Sequence, residues 1–312
     1  MKKEIPIFFA VDENYAPFLA VTLRSIIDHF NRDYHYVVYI LTSDLTDYTF
    51  KRLAKMEDPD CEIKFVNIQE QLKKIGGKLF TRDYYTNATY YRIFIQNLFP
   101  QYDKVLYLDC DILVLGDISE LYNIDLGDNY VGAITEDIMT NIDVFGRYVE
   151  EFLGIERHKF FNAGVLVLNL KKYREVDVEK QFLKLLGQYK FRVTQDEDYL
   201  NVICKDHVKF IEQGWNKSPI EDPTFDPSTL KLVHYKINYK PWHFDNVKFA
   251  EDYWDFVKRT EFYEDILKIK AAYSEEDRKR DEDNYVNLVK LAESEIARED
   301  GYYKMLKKKQ LK

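Results

Sequence analysis

Two aspartates one residue apart, Asp109 and Asp111, close the apolar run of "KVLYLDCDILVLGDISEL". A buried carboxylate costs several kcal/mol unless a cation or hydrogen-bond donors compensate it. Two of them with only Cys110 between also repel each other. In that spacing their oxygens can share one hard cation, Mg2+ or Mn2+. A lone D-x-D can equally be a pair of turn or cap residues, so the strand before it gives the motif its weight. Far downstream, "LVHYKINYKPWHF" ends another apolar run on His234, then carries Lys240, Pro241 and Trp242. By itself His234 reads either as a satisfied core or turn residue or as a nitrogen ligand. As a ligand, an imidazole beside two carboxylates shifts the preference from Mg2+ toward Mn2+. Cys110 reads as a packing residue, since hard cations avoid thiolates. His29, His35, His158, His207 and His243 read as surface or strand-edge residues.

These groups need a frame. "IPIFFAVD", "HYVVYILTS", "CEIKFVNI" and "KVLYLDCD" read as buried strands. "NYVGAITED", "NAGVLVLNL", "HVKFIE" and "KLVHY" follow as further strands. Between them lie a helix opened by Asn14 and Pro17, with Leu19, Leu23, Ile26 and Phe30 at helical spacing, and "TFKRLAKME". "TNATYYRIFIQNLF" reads as an aromatic helix stopped by Pro100, and "VEKQFLKLLGQYK" and "QDEDYLNVIC" read as helices. Apolar strands alternating with helices predict an α/β fold, a largely parallel sheet covered on both faces. Ligands in such folds sit at the carboxyl ends of strands, where Asp12 and the Asp109/Asp111 pair both fall. After about Lys248 the strands stop and two helical stretches follow. In "DNYVNLVKLAESEIARE", Tyr285, Leu288, Val289, Ala292 and Ile296 form one apolar face. The charged "SEEDRKRDED" before it reads as a solvated connection or first turn.

The 312 residues suit one large domain, or one with an appendage, and 46% hydrophobic content with 25 Tyr and 21 Phe supplies a sizeable core. A net charge of −9 argues against a nucleic-acid partner. Three scattered cysteines, with no CxxC, point to a reducing cytoplasm. "MKKEIPIFFAVDENY" does not read as a signal peptide, and no apolar stretch approaches the ~20 residues of a membrane span.

The motifs "FFAVDENYAPFLAVTLRSI", "TYYRIFI", "KVLYLDCDILVLGDISELYNIDLGDNYVGA", "FFNAGVLVLNLKKYRE", "QDEDYLN" and "HYKINYKPW" run in order over roughly residues 5 to 245. Together they resemble glycosyltransferase family 8, the retaining galactosyl- and glucosyltransferases that include lipopolysaccharide transferases and glycogenin. The resemblance implies a GT-A fold, a UDP-sugar donor (UDP-glucose or UDP-galactose) and a Mn2+ ion, with Mg2+ as alternative. It assigns Asp109, Asp111 and His234 to the metal. Ala10, Asp12, Asn14 and Tyr15 go to the nucleotide-base pocket, with Tyr15 stacked on uracil, and Cys110 and Ile237 flank the donor. Lys240 grips the diphosphate and Arg92 reaches the donor sugar and phosphates. Asn162 and Ala163 face the sugar, and Asp196 bonds its hydroxyls.

This chain departs from the family in three places. Ile237 stands where the pattern H-x-x-G-x-x-K-P-W has glycine, so the backbone approach to phosphate could be rearranged. Glu136 with Asp137 replaces a single Asp after "VGA", and both rank low as site residues. Glu197 replaces a glutamine in "QDEDYLN". It could be a covalent nucleophile, an electrostatic stabiliser of the sugar cation, or a solvent-facing helix residue.

The expected organisation is a catalytic domain over 1–272 and a helical extension over 273–312. The acceptor is a hydroxyl on a glycan, lipid-linked glycan or glycosylated protein, met by loops such as 71–88 and 138–160. The basic, aromatic tail "GYYKMLKKKQLK" allows peripheral contact with an anionic membrane or is simply a solvated end. Two rival readings remain: a haloacid-dehalogenase-type phosphohydrolase and a non-catalytic sugar-nucleotide binder.

Overall fold

The computed structural model describes residues 2–75, 79 and 86–310. Strand β1 (Lys3–Ala10) is the hub of the sheet. It runs parallel to β2 (Tyr34–Thr42), which is parallel to β3 (Cys61–Asn67), and its other side takes β4 (Lys104–Leu108) in parallel. β1 and β2 are apolar without alternation because both their faces are covered. β3, at the edge, alternates Cys61 in, Glu62 out, Ile63 in.

β5 (Ile112–Val114) leaves the sheet, and β6 (Val131–Ala133), β7 (Val165–Asn169) and β8 (Val208–Phe210) complete it in the order β3-β2-β1-β4-β7-β6-β8. Only β7 runs against its neighbours β4 and β6, so the sheet is mostly parallel, as expected. β9 (Leu232–His234) pairs with β5 in a separate ribbon. One face of the sheet packs on the helix Ala16–Asp28 through Leu19, Leu23 and Ile26. The other carries Phe94, Phe145, Tyr148, Phe182 and Tyr199.

The segment expected as one aromatic helix differs. Asn87–Phe94 is a 3-10 run, and α-helical turns cover only Ile95–Leu98. Its aromatic and β-branched residues disfavour a regular α-helix, and burial of Tyr90, Tyr91, Ile93 and Phe94 holds the tighter coil. Side chains three apart eclipse in such a coil, which puts Thr89 and Arg92 on one line. The loop expected at 71–88 falls partly on residues 76–78 and 80–85, outside the described residues.

Four helices follow the last strand: Ala250–Val257, Tyr263–Ala272, Glu275–Ala297 and Tyr302–Gln310. The run "SEEDRKRDED" is no connection. It forms the first turns of the long helix Glu275–Ala297. Ser274 Oγ accepts from Asp277 N at 3.2 Å while the Asp277 carboxylate accepts from Ser274 N at 2.9 Å, a capping box strong enough to start a helix in so charged a segment. Ala292 and Ile296 bury its far end. In the last helix Tyr302 packs edge-on to Tyr189 and Phe191, so that aromatic serves the core. Lys307, Lys308 and Lys309 are exposed. Among the described residues no helix is long and apolar enough to cross a membrane.

Candidate active site

The β5–β9 ribbon brings His234 to the acidic pair. Ile112 pairs with His234, and Tyr235 N donates to Asp111 O at 2.9 Å. His234 Nε2 therefore lies 3.2 Å from Asp111 Oδ1 and 3.9 Å from Asp109 Oδ2. Ligand atoms of the three fall within 4.8 Å of one another.

The imidazole tautomer follows from a chain of bonds. Gly164 N donates to Asn162 Oδ1 at 2.9 Å, so that oxygen is an acceptor. Asn216 Nδ2 donates to the same oxygen at 2.7 Å, which turns Asn216 Oδ1 toward His234 Nδ1 at 2.9 Å. Nδ1 must donate, which leaves Nε2 as the ring nitrogen that faces the two carboxylates. Three acceptors facing each other suit a hard divalent cation, and a histidine held by its other nitrogen is the usual support of such a site. Space agrees. A Cβ on Gly164 would come within 2.4 Å of His234 Cε1 and 2.5 Å of Asp109 Oδ2, so only glycine leaves the ligands in place.

Cations flank this cluster. Arg92 Nη2 donates to Asp109 Oδ1 at 2.9 Å, Nη1 donates to Ala163 O, and Tyr107 Oη donates to Asp109 Oδ1 at 3.1 Å. Lys240 Nζ donates to Asp111 Oδ2 and Tyr235 O. Burial pushes the Asp111 carboxyl up, but Lys240 and His234 pull it down further, well below the usual carboxylate range. The eclipsed pair on the 3-10 coil converges on Asp196. Thr89 Oγ1 donates to Oδ1, and Arg92 Nε lies 3.1 Å from Oδ2. Burial still lifts the Asp196 carboxyl to about 6, with Arg92 and Thr89 offsetting part of the cost.

A second charged cluster lies in the same cavity. Lys236 Nζ lies 2.9 Å from Glu136 Oε1 and 2.8 Å from Asp137 Oδ1. Asn162 Nδ2 donates to Glu136 Oε2 and, at 3.3 Å, to Glu197 Oε2, while Ala163 N donates to Glu197 Oε2 at 2.8 Å. Burial, then the neighbouring Glu136, raise the Glu197 carboxyl well above its ordinary range. Burial raises Glu136 as well, although Lys236 opposes it.

One cavity of about 1400 Å3, counted with its open mouth, holds both clusters. Ala10, Asp12, Tyr15, Arg92, Asp109, Cys110, Asp111, Asn162, Ala163, Asp196, Glu197, His234, Ile237 and Lys240 all line it. Asn14 does not. It sits exposed in the turn before the helix Ala16–Asp28, while Asp12 Oδ1 accepts from Tyr15 N at 3.0 Å and makes that turn. Glu197 is no solvent-facing residue. Cys110 is buried, its Sγ donating to Ala10 O, and burial and the flanking aspartates push its thiol up, as suits packing.

Ile237 keeps the backbone form that glycine serves. Its φ is +48°, a costly conformation for a β-branched residue. The loop therefore carries a strained left-handed residue at this position.

Sequence reasoning missed Lys236 and Asn216, and the structure pairs Glu136 and Asp137, both ranked low there, with Lys236. A second lysine two residues after His234 was the available signal for Lys236. Asn216 follows a tryptophan in a loop, with no periodicity around it to mark it.

A mostly parallel sheet whose strand ends gather two carboxylates, an imidazole and a lysine in one long cavity is the layout of a GT-A glycosyltransferase. A family model described as glycosyl transferase family 8 matches residues 6–246, and the chain belongs to that family. It is accordingly a glycosyltransferase that moves a hexose from a UDP-sugar. It is 30% identical over 257 residues to a lipopolysaccharide 1,2-glucosyltransferase of Escherichia coli, covering 75% of this chain and 72% of that one. It is 28% identical to the glycosyltransferase GlyF of Streptococcus pneumoniae, covering 81% of this chain and 61% of that one. The galactosyltransferase LgtC, solved in complex with donor and acceptor sugar analogs, superposes with a TM-score of 0.70 at 27% identity, covering 82% of this chain and 96% of LgtC. Neither the phosphohydrolase nor the non-catalytic reading finds support in these likenesses.

Proposed function

We propose that the chain is a retaining, metal-dependent hexosyltransferase using UDP-glucose or UDP-galactose, with Mn2+ held by Asp109, Asp111 and His234 and Mg2+ as second choice. The observation that carries this reading is His234 Nε2 lying 3.2 Å from Asp111 and 3.9 Å from Asp109, with Nδ1 held by Asn216 and Lys240 alongside. When bound, the ion supplies positive charge for the departing pyrophosphate. Lys240, which donates to Asp111, would also reach the diphosphate beside that carboxylate and stabilise charge where it develops. Arg92 holds Asp109, Asp196 and the Ala163 carbonyl in register, acting through them as a positioning residue. Tyr15 and Asp12 receive the base, and Asp196 and Asn162 receive sugar hydroxyls.

Glu197 Oε2 accepts from Ala163 N and Asn162 Nδ2, and burial disfavours its charged form, which together weigh against a covalent nucleophile. The favoured path is transfer on the face from which UDP leaves. Glu197 then fixes the Asn162–Ala163 turn and offers a dipole to the sugar cation. The acceptor is a hydroxyl on a glycan, a lipid-linked glycan or a glycosylated protein. A cytoplasmic enzyme fits the reduced, buried cysteines, and peripheral membrane contact would fall to the exposed tail lysines alone.

The test is UDP release from a panel of UDP-sugars, with and without Mn2+. The reading expects metal-dependent release from UDP-glucose or UDP-galactose. Release of inorganic phosphate, or no release at all, contradicts it.

A further inference from the structure

The family match ends at residue 246, yet the cavity does not. Asp281, Asn284, Tyr285 and Leu288 of the long helix Glu275–Ala297 line it together with the metal-cluster residues. They stand at i, i+3, i+4 and i+7 and so form one helix face. The same stripe continues to Ala292 and Ile296, which are buried in the core. Where it leaves the core its chemistry changes from aliphatic to carboxylate, amide and phenol. An apolar stripe left over from packing would not change in that way.

The face is held over the cavity from two sides. Tyr285 meets Phe145 edge-on at 6.4 Å between ring centroids, and Tyr273 Oη donates to Asp281 Oδ2. Tyr273 itself stacks on His243 at 4.0 Å, tying the start of the helix to the segment that carries Lys240. Asn238 Nδ2 reaches Asp281 O at 3.5 Å, linking the helix to the loop bearing Ile237. Tyr285 keeps 37% of its surface exposed.

Resting on the transferase reading above, we propose that Asp281, Asn284 and Tyr285 form the acceptor subsite, with a saccharide ring stacked on Tyr285 and its hydroxyls bonded by Asn284 and Asp281. A sugar presents one apolar face and a rim of hydroxyls. An amphipathic ring beside an amide and a carboxylate matches both. A lipid tail would want the stripe to stay aliphatic. The 273–312 extension is then part of the catalytic unit, and the acceptor is met by a helix in addition to the 138–160 segment, whose Ile138, Met139 and Phe145 also line the cavity.

The experiment measures UDP release with Mn2+ and the preferred UDP-sugar, alone and with a panel of methyl hexopyranosides, lactose and maltose. For Tyr285→Ala, the KM for the accelerating saccharide should rise about tenfold or more while the KM for the UDP-sugar moves less than about twofold. Tyr285→Phe, which keeps the platform, should stay within about threefold of wild type. Equal saccharide KM values in wild type and Tyr285→Ala overturn the proposal, and so does a parallel rise in both KM values. A wild type that releases UDP from donor alone but is accelerated by no saccharide also counts against the subsite. A wild type that releases no UDP overturns the transferase reading itself.

Discussion

Two charged clusters share one cavity and solve the same problem in opposite ways. Glu136, Asp137, Glu197 and Lys236 close on one another. The lysine spans two carboxylates, Glu197 and Glu136 are raised by burial, and the remaining oxygens accept from Asn162 and Ala163. Asp109, Asp111 and His234 stay open. Their cations approach from outside, and the three ligand atoms face each other within 4.8 Å. Buried charge that is internally satisfied positions its neighbours, whereas charge left facing itself is ready for a ligand. Asn162 bonds Glu136 directly and reaches His234 through Asn216, so the closed cluster braces the open one.

The sharpest way to break the contrast is to remove a ligand from the open cluster. Asp111→Asn, or Gly164→Ala, which drives a methyl into His234 and Asp109, should lower transfer by about 10³-fold or more with little loss of fold. A steady-state assay beside a thermal melt checks both halves. Next is the bond that fixes the imidazole. Asn216→Ala should weaken Mn2+ binding by about 10–100-fold, since the ring loses its orientation but stays in place. A Mn2+ titration of activity reads this.

The closed cluster should respond differently. Glu197→Gln keeps size and an oxygen that can accept from Ala163 N, so transfer should fall by no more than about tenfold, whereas a covalent nucleophile would lose nearly everything. Its stability should shift with pH. The folded chain holds a proton on Glu197 that the unfolded chain gives up above the ordinary 4.5, so wild-type stability falls as pH rises from there toward the raised value. Melting curves should show Glu197→Gln gaining more over wild type near pH 8 than near pH 5. The smallest effect is expected at Ile237. Glycine there relieves the left-handed strain at the cost of a looser unfolded chain, for a net gain of about 1 kcal/mol in a denaturant titration.

The open cluster was legible in the sequence because its parts end apolar strands. Asp109 directly follows β4 and His234 ends β9, while Asp111 sits in the short link from β4 to β5, so the strand-end rule draws attention to all three. The closed cluster was not legible. Lys236, Glu136 and Asp137 look like ordinary surface charge until the fold buries them together, and burial of a charge has no local signature. The helix at Asn87–Phe94 was misjudged because its composition suits either coil, and only tertiary packing selects the tighter one. The long helix was read for its apolar face, yet Tyr285, at one end of that face, lines the cavity instead of the core.

On the proposed reading, Asp109, Asp111 and His234 hold one divalent ion for the leaving nucleotide. Electron paramagnetic resonance titration of Mn2+ into the wild type and into Asp111→Asn, each with UDP present, tests it most directly. One tightly bound Mn2+ per wild-type chain is expected, with its loss in the variant. Equal Mn2+ binding by both proteins would contradict it.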